Sequence, residues 1–162
     1  MSERQLIVPV SPLLLDRASA VVERALAGTR YLAGALDALR SAVRSPGPDG
    51  RALASMSGDD LEGIIVFGIF GGTSGAGRLH FVAVESAARR AGTARAMVDA
   101  ALDALRAEHA RFVLAELPDD PRELPDARGF LLALGFTQES RVDDFYRDGI
   151  ALSFLRRELD RG

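Results

Sequence analysis

Apolar residues recur along the chain with two periods, and the switches between them delimit its elements. From Leu14 the positions Ala18, Val21, Val22, Ala25 and Leu26 repeat at helical spacing until Gly28, and Leu32, Leu36, Leu39 and Val43 do so again before Pro46-Gly47-Pro48. Ala91 to Leu105 is the cleanest periodic stretch. There Ala94, Met97, Val98, Ala101, Leu102 and Leu105 form one stripe, and Arg95, Asp99, Asp103 and Arg106 a solvated one opposite. A fourth helix is predicted from Asp126 to Leu134, with Gly135 as its left-handed cap.

Between the helices lie runs with strand character. Leu6 to Val10 predicts a short edge strand, since Pro9 and Pro12 forbid a central one. Ala52 to Met56, Gly63 to Phe70 and Leu79 to Val84 read as three strands. Gly58-Asp59-Asp60 and the run Gly71 to Gly77 supply the turns of antiparallel hairpins. The last of the three is apolar at every residue from Phe81 to Val84, which predicts a central strand with both faces covered. Phe112 to Leu117, Phe136 to Val142 and Ile150 to Leu155 complete the set, the last two joined through Asp143-Asp144 and Asp148-Gly149. The order βααβββαβαββ, without internal repeat, predicts a single α/β domain over residues 1–162.

Composition narrows the chemistry. With 162 residues, 48% hydrophobic and 27% charged, the chain is long enough for a core that needs neither disulfides nor metals. It has no cysteine, which removes thiol nucleophiles, and His80 and His109 alone predict no metal site. All 20 basic residues are arginines, dispersed and outnumbered by 23 acidic ones, so no nucleic-acid partner is expected. No apolar run approaches the roughly 20 residues that span a bilayer, nor the core of a signal peptide. The expectation is a cytoplasmic protein with no membrane partner.

The segment from Leu79 to Met97 carries the strongest chemical signal. A buried strand ends at Val84, and Arg89-Arg90-Ala91-Gly92-Thr93-Ala94 opens the long helix. The first N–H groups of a helix lack intrahelical acceptors, and with the helix dipole they favour a phosphate. Gly92 and Ala94 allow a pyrophosphate to approach closely, while Arg89 and Arg90 add cationic charge. The alternative is that Gly92 serves helix packing and the arginines are a solvated pair. The Gly71 to Gly77 run is not a nucleotide loop: it lacks lysine followed by serine or threonine and joins two strands.

The pattern Arg-x-x-Gly-x-Ala after an apolar strand resembles the acetyl-CoA signature of the GNAT N-acetyltransferase superfamily. Ala127-Arg128-Gly129-Phe130, running to Leu134-Gly135-Phe136, is similar to that family's penultimate helix and its Gly-Phe exit, and Glu62-Gly63-Ile64 to the strand before the central one. The resemblance implies an α/β GNAT-like fold: a mixed, mostly antiparallel sheet flanked by helices, with splayed fourth and fifth strands, here Leu79 to Val84 and Phe112 to Leu117. It implies acetyl-CoA as cosubstrate, its pantetheine on the backbone of Val82, Ala83 and Val84. The pyrophosphate would lie on Arg89, Arg90, Ala91, Gly92, Thr93, Ala94 and Arg95. The implied reaction is acetyl transfer to a primary amine of a small molecule or peptide. Without cysteine it would proceed directly in a ternary complex.

The same resemblance exposes departures. The position of the family's usual tyrosine acid is Leu131, so Tyr146 is the candidate donor, against a reading as a hairpin aromatic. Glu116 is the candidate base. His80 is a second candidate or a core histidine, sharing a face with Val82 and Val84 by strand alternation. Asp119, Asp120 and Glu123, where the family commonly has asparagine after the fifth strand, would favour a cationic acceptor or else form a solvated loop. Arg30 and Tyr31 lie at the junction of the first two helices, which cover the acceptor cleft in this fold. A catalytically degenerate GNAT-fold acyl-CoA-binding or assembly module is the alternative function. Exposed strand edges at the C-terminus point to a homodimer.

Overall fold

The computed structural model describes residues 4–160. Its elements follow in the order β1 (Gln5–Pro9), α1 (Leu15–Ala25), α2 (Leu32–Arg44), β2 (Arg51–Ser57), β3 (Asp60–Ile69), β4 (Ala76–Val84), α3 (Thr93–Ala107), β5 (Phe112–Pro118), α4 (Ala127–Ala133), β6 (Thr137–Arg147) and β7 (Ile150–Glu158). This is the order that the periodicities predict. The strands form one seven-stranded sheet in the order β1-β2-β3-β4-β5-β7-β6, antiparallel except for β4 beside β5.

Alternation along β3 divides the core. Ile64 and Val66 join a cluster with Val21, Val22, Leu36 and Leu39 of α1 and α2, whereas Ile65 and Phe67 join one with Met97, Val98, Leu102 and Leu105 of α3. Leu131 and Leu134, from α4 and its end, also enter the α3 cluster. No helix among the described residues is long and apolar enough to cross a membrane.

Three local departures from the expected elements shape the site. Helix α3 begins at Thr93 rather than Ala91, because Arg90 (φ 67°) and Gly92 (φ 80°) hold the preceding turn left-handed. Strand β6 runs past Val142 through Asp143-Asp144, leaving only Asp148-Gly149 as the hairpin turn. Its register jumps from Val142 opposite Leu152 to Arg147 opposite Ile150, so residues 143–146 bulge, with Asp144 at φ 54°.

The third departure lies in β4, where Val66 faces Phe81 but Phe67 faces Leu79, leaving His80 as an extra residue. Leu79 consequently packs with the α3 cluster and Phe81 with the α1–α2 cluster, although they are two residues apart. Alternation back from Val82 and Val84 therefore fails to place His80, correcting that expectation.

Candidate active site

The parallel pairing of β4 with β5 runs only from Ala76 opposite Phe112 to Leu79 opposite Ala115. Beyond it the strands part, and a cavity of about 1200 Å³ opens between them. Every residue proposed from the sequence for the cofactor or for catalysis lines this cavity, except Ala91.

At one end stands the N-terminus of α3. Gly92 caps it without a side-chain hydrogen bond, and the first backbone bond of the helix is from Ala96 N–H to the Gly92 carbonyl. The N–H groups of Thr93, Ala94 and Arg95 thus precede the ladder. A Cβ built on Gly92 meets nothing within 4 Å, so the space before these donors is open. Arg89 is anchored, its Nε donating to the Val84 carbonyl at 3.3 Å. The Thr93 hydroxyl, by contrast, turns inward and accepts from Gln5 Nε2 at 3.0 Å, leaving the backbone as this residue's contribution. Gln5 has no signal in the sequence, since it lies on the far edge strand.

Alternation along β5 sends Val113, Ala115 and Leu117 into the core and turns Glu116 to the opposite face. There Arg78 Nη2 donates to Glu116 Oε1 at 2.9 Å and Oε2 at 3.1 Å. The Arg78 guanidinium also lies 5.2 Å from the centroid of Phe70. Burial and the Arg78 charge push His80 below its usual 6.5, against the pull of Glu116 and the Asp49 backbone. This favours a neutral imidazole. Among the described residues its Nε2, although the residue lines the cavity, is buried without a hydrogen-bond partner.

The bulge of β6 presents Tyr146 to the cavity, edge-on to Tyr31 with ring centroids 5.6 Å apart. Burial, then the negative charge of Glu116, pushes the Tyr146 phenol up to about 12. It is a protonated donor at any physiological pH. Leu131, only 7% exposed, contributes an apolar wall.

The carboxylates of the acidic loop after β5, Asp119, Asp120 and Glu123, are partly or fully buried and each has a partner. Asp120 is 3% exposed, and its Oδ2 accepts from the Tyr31 hydroxyl and from Arg147 Nη2, each at 2.8 Å. Arg147 holds its carboxyl below the usual 3.8. Asp119 Oδ2 takes Arg128 at 2.8 Å, Arg141 at 2.9 Å and Ser153 Oγ at 3.2 Å, and Glu123 Oε2 accepts the Arg30 N–H at 3.0 Å. Each of these carboxylates is tied to an arginine that the sequence places far from it.

A family model described as the acetyltransferase (GNAT) family matches residues 27–136. Among curated proteins none matches significantly. Solved structures resemble the chain over nearly its whole length. One from Desulfovibrio desulfuricans, assigned to the GNAT family, superposes with a TM-score of 0.87 at 21% identity, covering 97% of this chain and 100% of that one. The yncA protein of Salmonella typhimurium, solved with acetyl-CoA as its cofactor, gives 0.72 at 15% identity over 98% and 95%. An aminoglycoside 6'-N-acetyltransferase complexed with coenzyme A gives 0.76 at 14% over 96% and 97%. Parted β4 and β5, an open helix N-terminus beside them, and a family match across most of the chain agree: the chain belongs to the GNAT acetyltransferase family.

Proposed function

We propose that the protein is an acetyl-CoA-dependent N-acetyltransferase that acts on a primary amine in a ternary complex. One observation carries the reading: a single cavity joins uncapped helix N–H groups at Thr93 to Ala94 and Arg95 with a carboxylate and a phenol at Glu116 and Tyr146. The donor set fits the cosubstrate. The parted edge of β4 at Val82, Ala83 and Val84 suits the amides of a pantetheine arm, in the manner of an added strand. The turn at Arg89, Arg90, Ala91 and Gly92 with the start of α3 suits a pyrophosphate.

Acetyl-CoA bound there would supply a thioester carbon to the acceptor nitrogen, the C–N bond forming as C–S breaks, the nitrogen giving up one N–H proton and the departing thiolate taking one up. The remaining work belongs to the chain. Glu116 accepts the ammonium proton, directly or through water, so that the attacking nitrogen is neutral. Tyr146 keeps its proton and is the donor available to the thiolate, a role that Leu131 cannot fill.

The test is calorimetric titration of the wild type and Gly92→Glu with acetyl-CoA and CoA. A Glu side chain there meets no neighbour at its Cβ, strains the left-handed backbone (φ 80°) and brings negative charge to the phosphate end. The expected result is a folded variant whose affinity falls more than about a hundredfold. Unchanged affinity in a folded Gly92→Glu protein overturns the site. Leu131 favours a second reading, an acyl-CoA-binding module without turnover, for which CoA would bind and no amine in a screen would be acetylated.

A further inference from the structure

We infer that the acceptor is a monoamine carried on an apolar or aromatic body, not a polyamine or other polycation; the inference rests on the acetyltransferase reading above. The first ground is charge. At the end of the cavity away from Gly92, Glu116 is paired with Arg78 and Glu123 with Arg30, and Asp120 behind them with Arg147. Asp126, the remaining carboxylate of this lining among the described residues, sits at the N-terminus of α4, where the helix dipole partly offsets it. Asp126 apart, a second ammonium would meet only carboxylates that already face an arginine. Arg78 beside Glu116 also disfavours a positive charge on the acceptor, which favours the neutral, nucleophilic amine.

The second ground is shape. Gly34, Ala35 and Ala38 line the cavity from one side of α2, and Phe81 and Leu124 line it from β4 and the β5–α4 loop. A Cβ on Gly34 meets nothing within 4 Å, so these small residues leave room that an apolar body would fill. The aromatic pair of Tyr31 and Tyr146 adds flat apolar surface beside Glu116.

The experiment uses the whole protein saturated with CoA, titrated calorimetrically with 2-phenylethylamine and with spermidine, beside steady-state acetylation of both from acetyl-CoA. The expected result is 2-phenylethylamine binding and turning over at least about tenfold better than spermidine, with little dependence on salt. Gly34→Leu, a change tolerated inside a helix, should raise the dissociation constant of 2-phenylethylamine by about tenfold while CoA affinity stays as in the wild type. Preference for spermidine, binding of neither amine, or a Gly34→Leu variant with unchanged 2-phenylethylamine affinity overturns the inference while CoA binding upholds the cofactor site. Loss of CoA binding in the wild type overturns both.

Discussion

Gln5 shows how a site depends on a residue that no motif contains. Its Nε2 donates to Ser55 Oγ at 2.9 Å and to Thr93 Oγ1 at 3.0 Å, joining β1 and β2 to the first residue of α3. Ser55 is fully buried and Thr93 2% exposed, so both hydroxyls need a protein partner. The link draws the Thr93 side chain toward the sheet and leaves its N–H at the cavity. Gln5→Leu should cost about 1–3 kcal/mol in denaturant unfolding. It should also raise the KM for acetyl-CoA several-fold with kcat nearly unchanged. A lowered unfolding midpoint with unchanged CoA affinity would make the link purely structural. Residues 88 apart in sequence leave no periodic trace, so this contact was not legible in advance. Gly92 was legible because its consequence is local: a left-handed cap is a property of one position.

Elements were legible wherever one face is buried and the other is not. The helical stripes of α1, α2 and α3 and the hairpins of β2, β3 and β4 follow from that contrast. Bulges escaped for opposite reasons in two strands. Phe81 to Val84 of β4 is apolar throughout, so an inserted His80 disturbs no alternation; β6 is exposed along nearly its whole length, so there is none to disturb. Yet the β6 bulge is what brings Tyr146 to the cavity in place of a tyrosine at Leu131. Tyr146→Phe should lower kcat by about ten- to a hundredfold while leaving CoA affinity unchanged. With the wild-type phenol at about 12, its acid form persists below that pH, so the rate should not decline through pH 10. A decline centred at 10, the usual tyrosine value, would mean that the donor is not this phenol.

At the scale of the molecule, the sheet is two blocks, β1-β2-β3-β4 and β5-β7-β6, hinged at the short parallel pairing between Ala76–Leu79 and Phe112–Ala115. The cavity requires them apart at one end, and Asp120 spans that opening. It follows β5 and binds both Tyr31, which precedes α2 on the first block, and Arg147 at the end of β6 on the second. An arginine-rich, acidic-rich sequence reads as a solvated surface because composition does not say which carboxylate is buried beside which guanidinium. Asp120→Asn removes the charge but not the shape, and should lower the unfolding midpoint at neutral pH and weaken acceptor binding. Arg147 first, then Tyr31, keeps the folded carboxyl below 3.8, so the unfolded chain takes up the proton sooner. The stabilisation is therefore complete above 3.8 and is lost as pH falls from there through the lower folded value. Unfolding midpoints of the wild type and Asp120→Asn should differ at pH 7 and converge below 3.8. A difference that persisted unchanged into acid would assign the effect to the shape of the side chain, and the clasp would not be ionic.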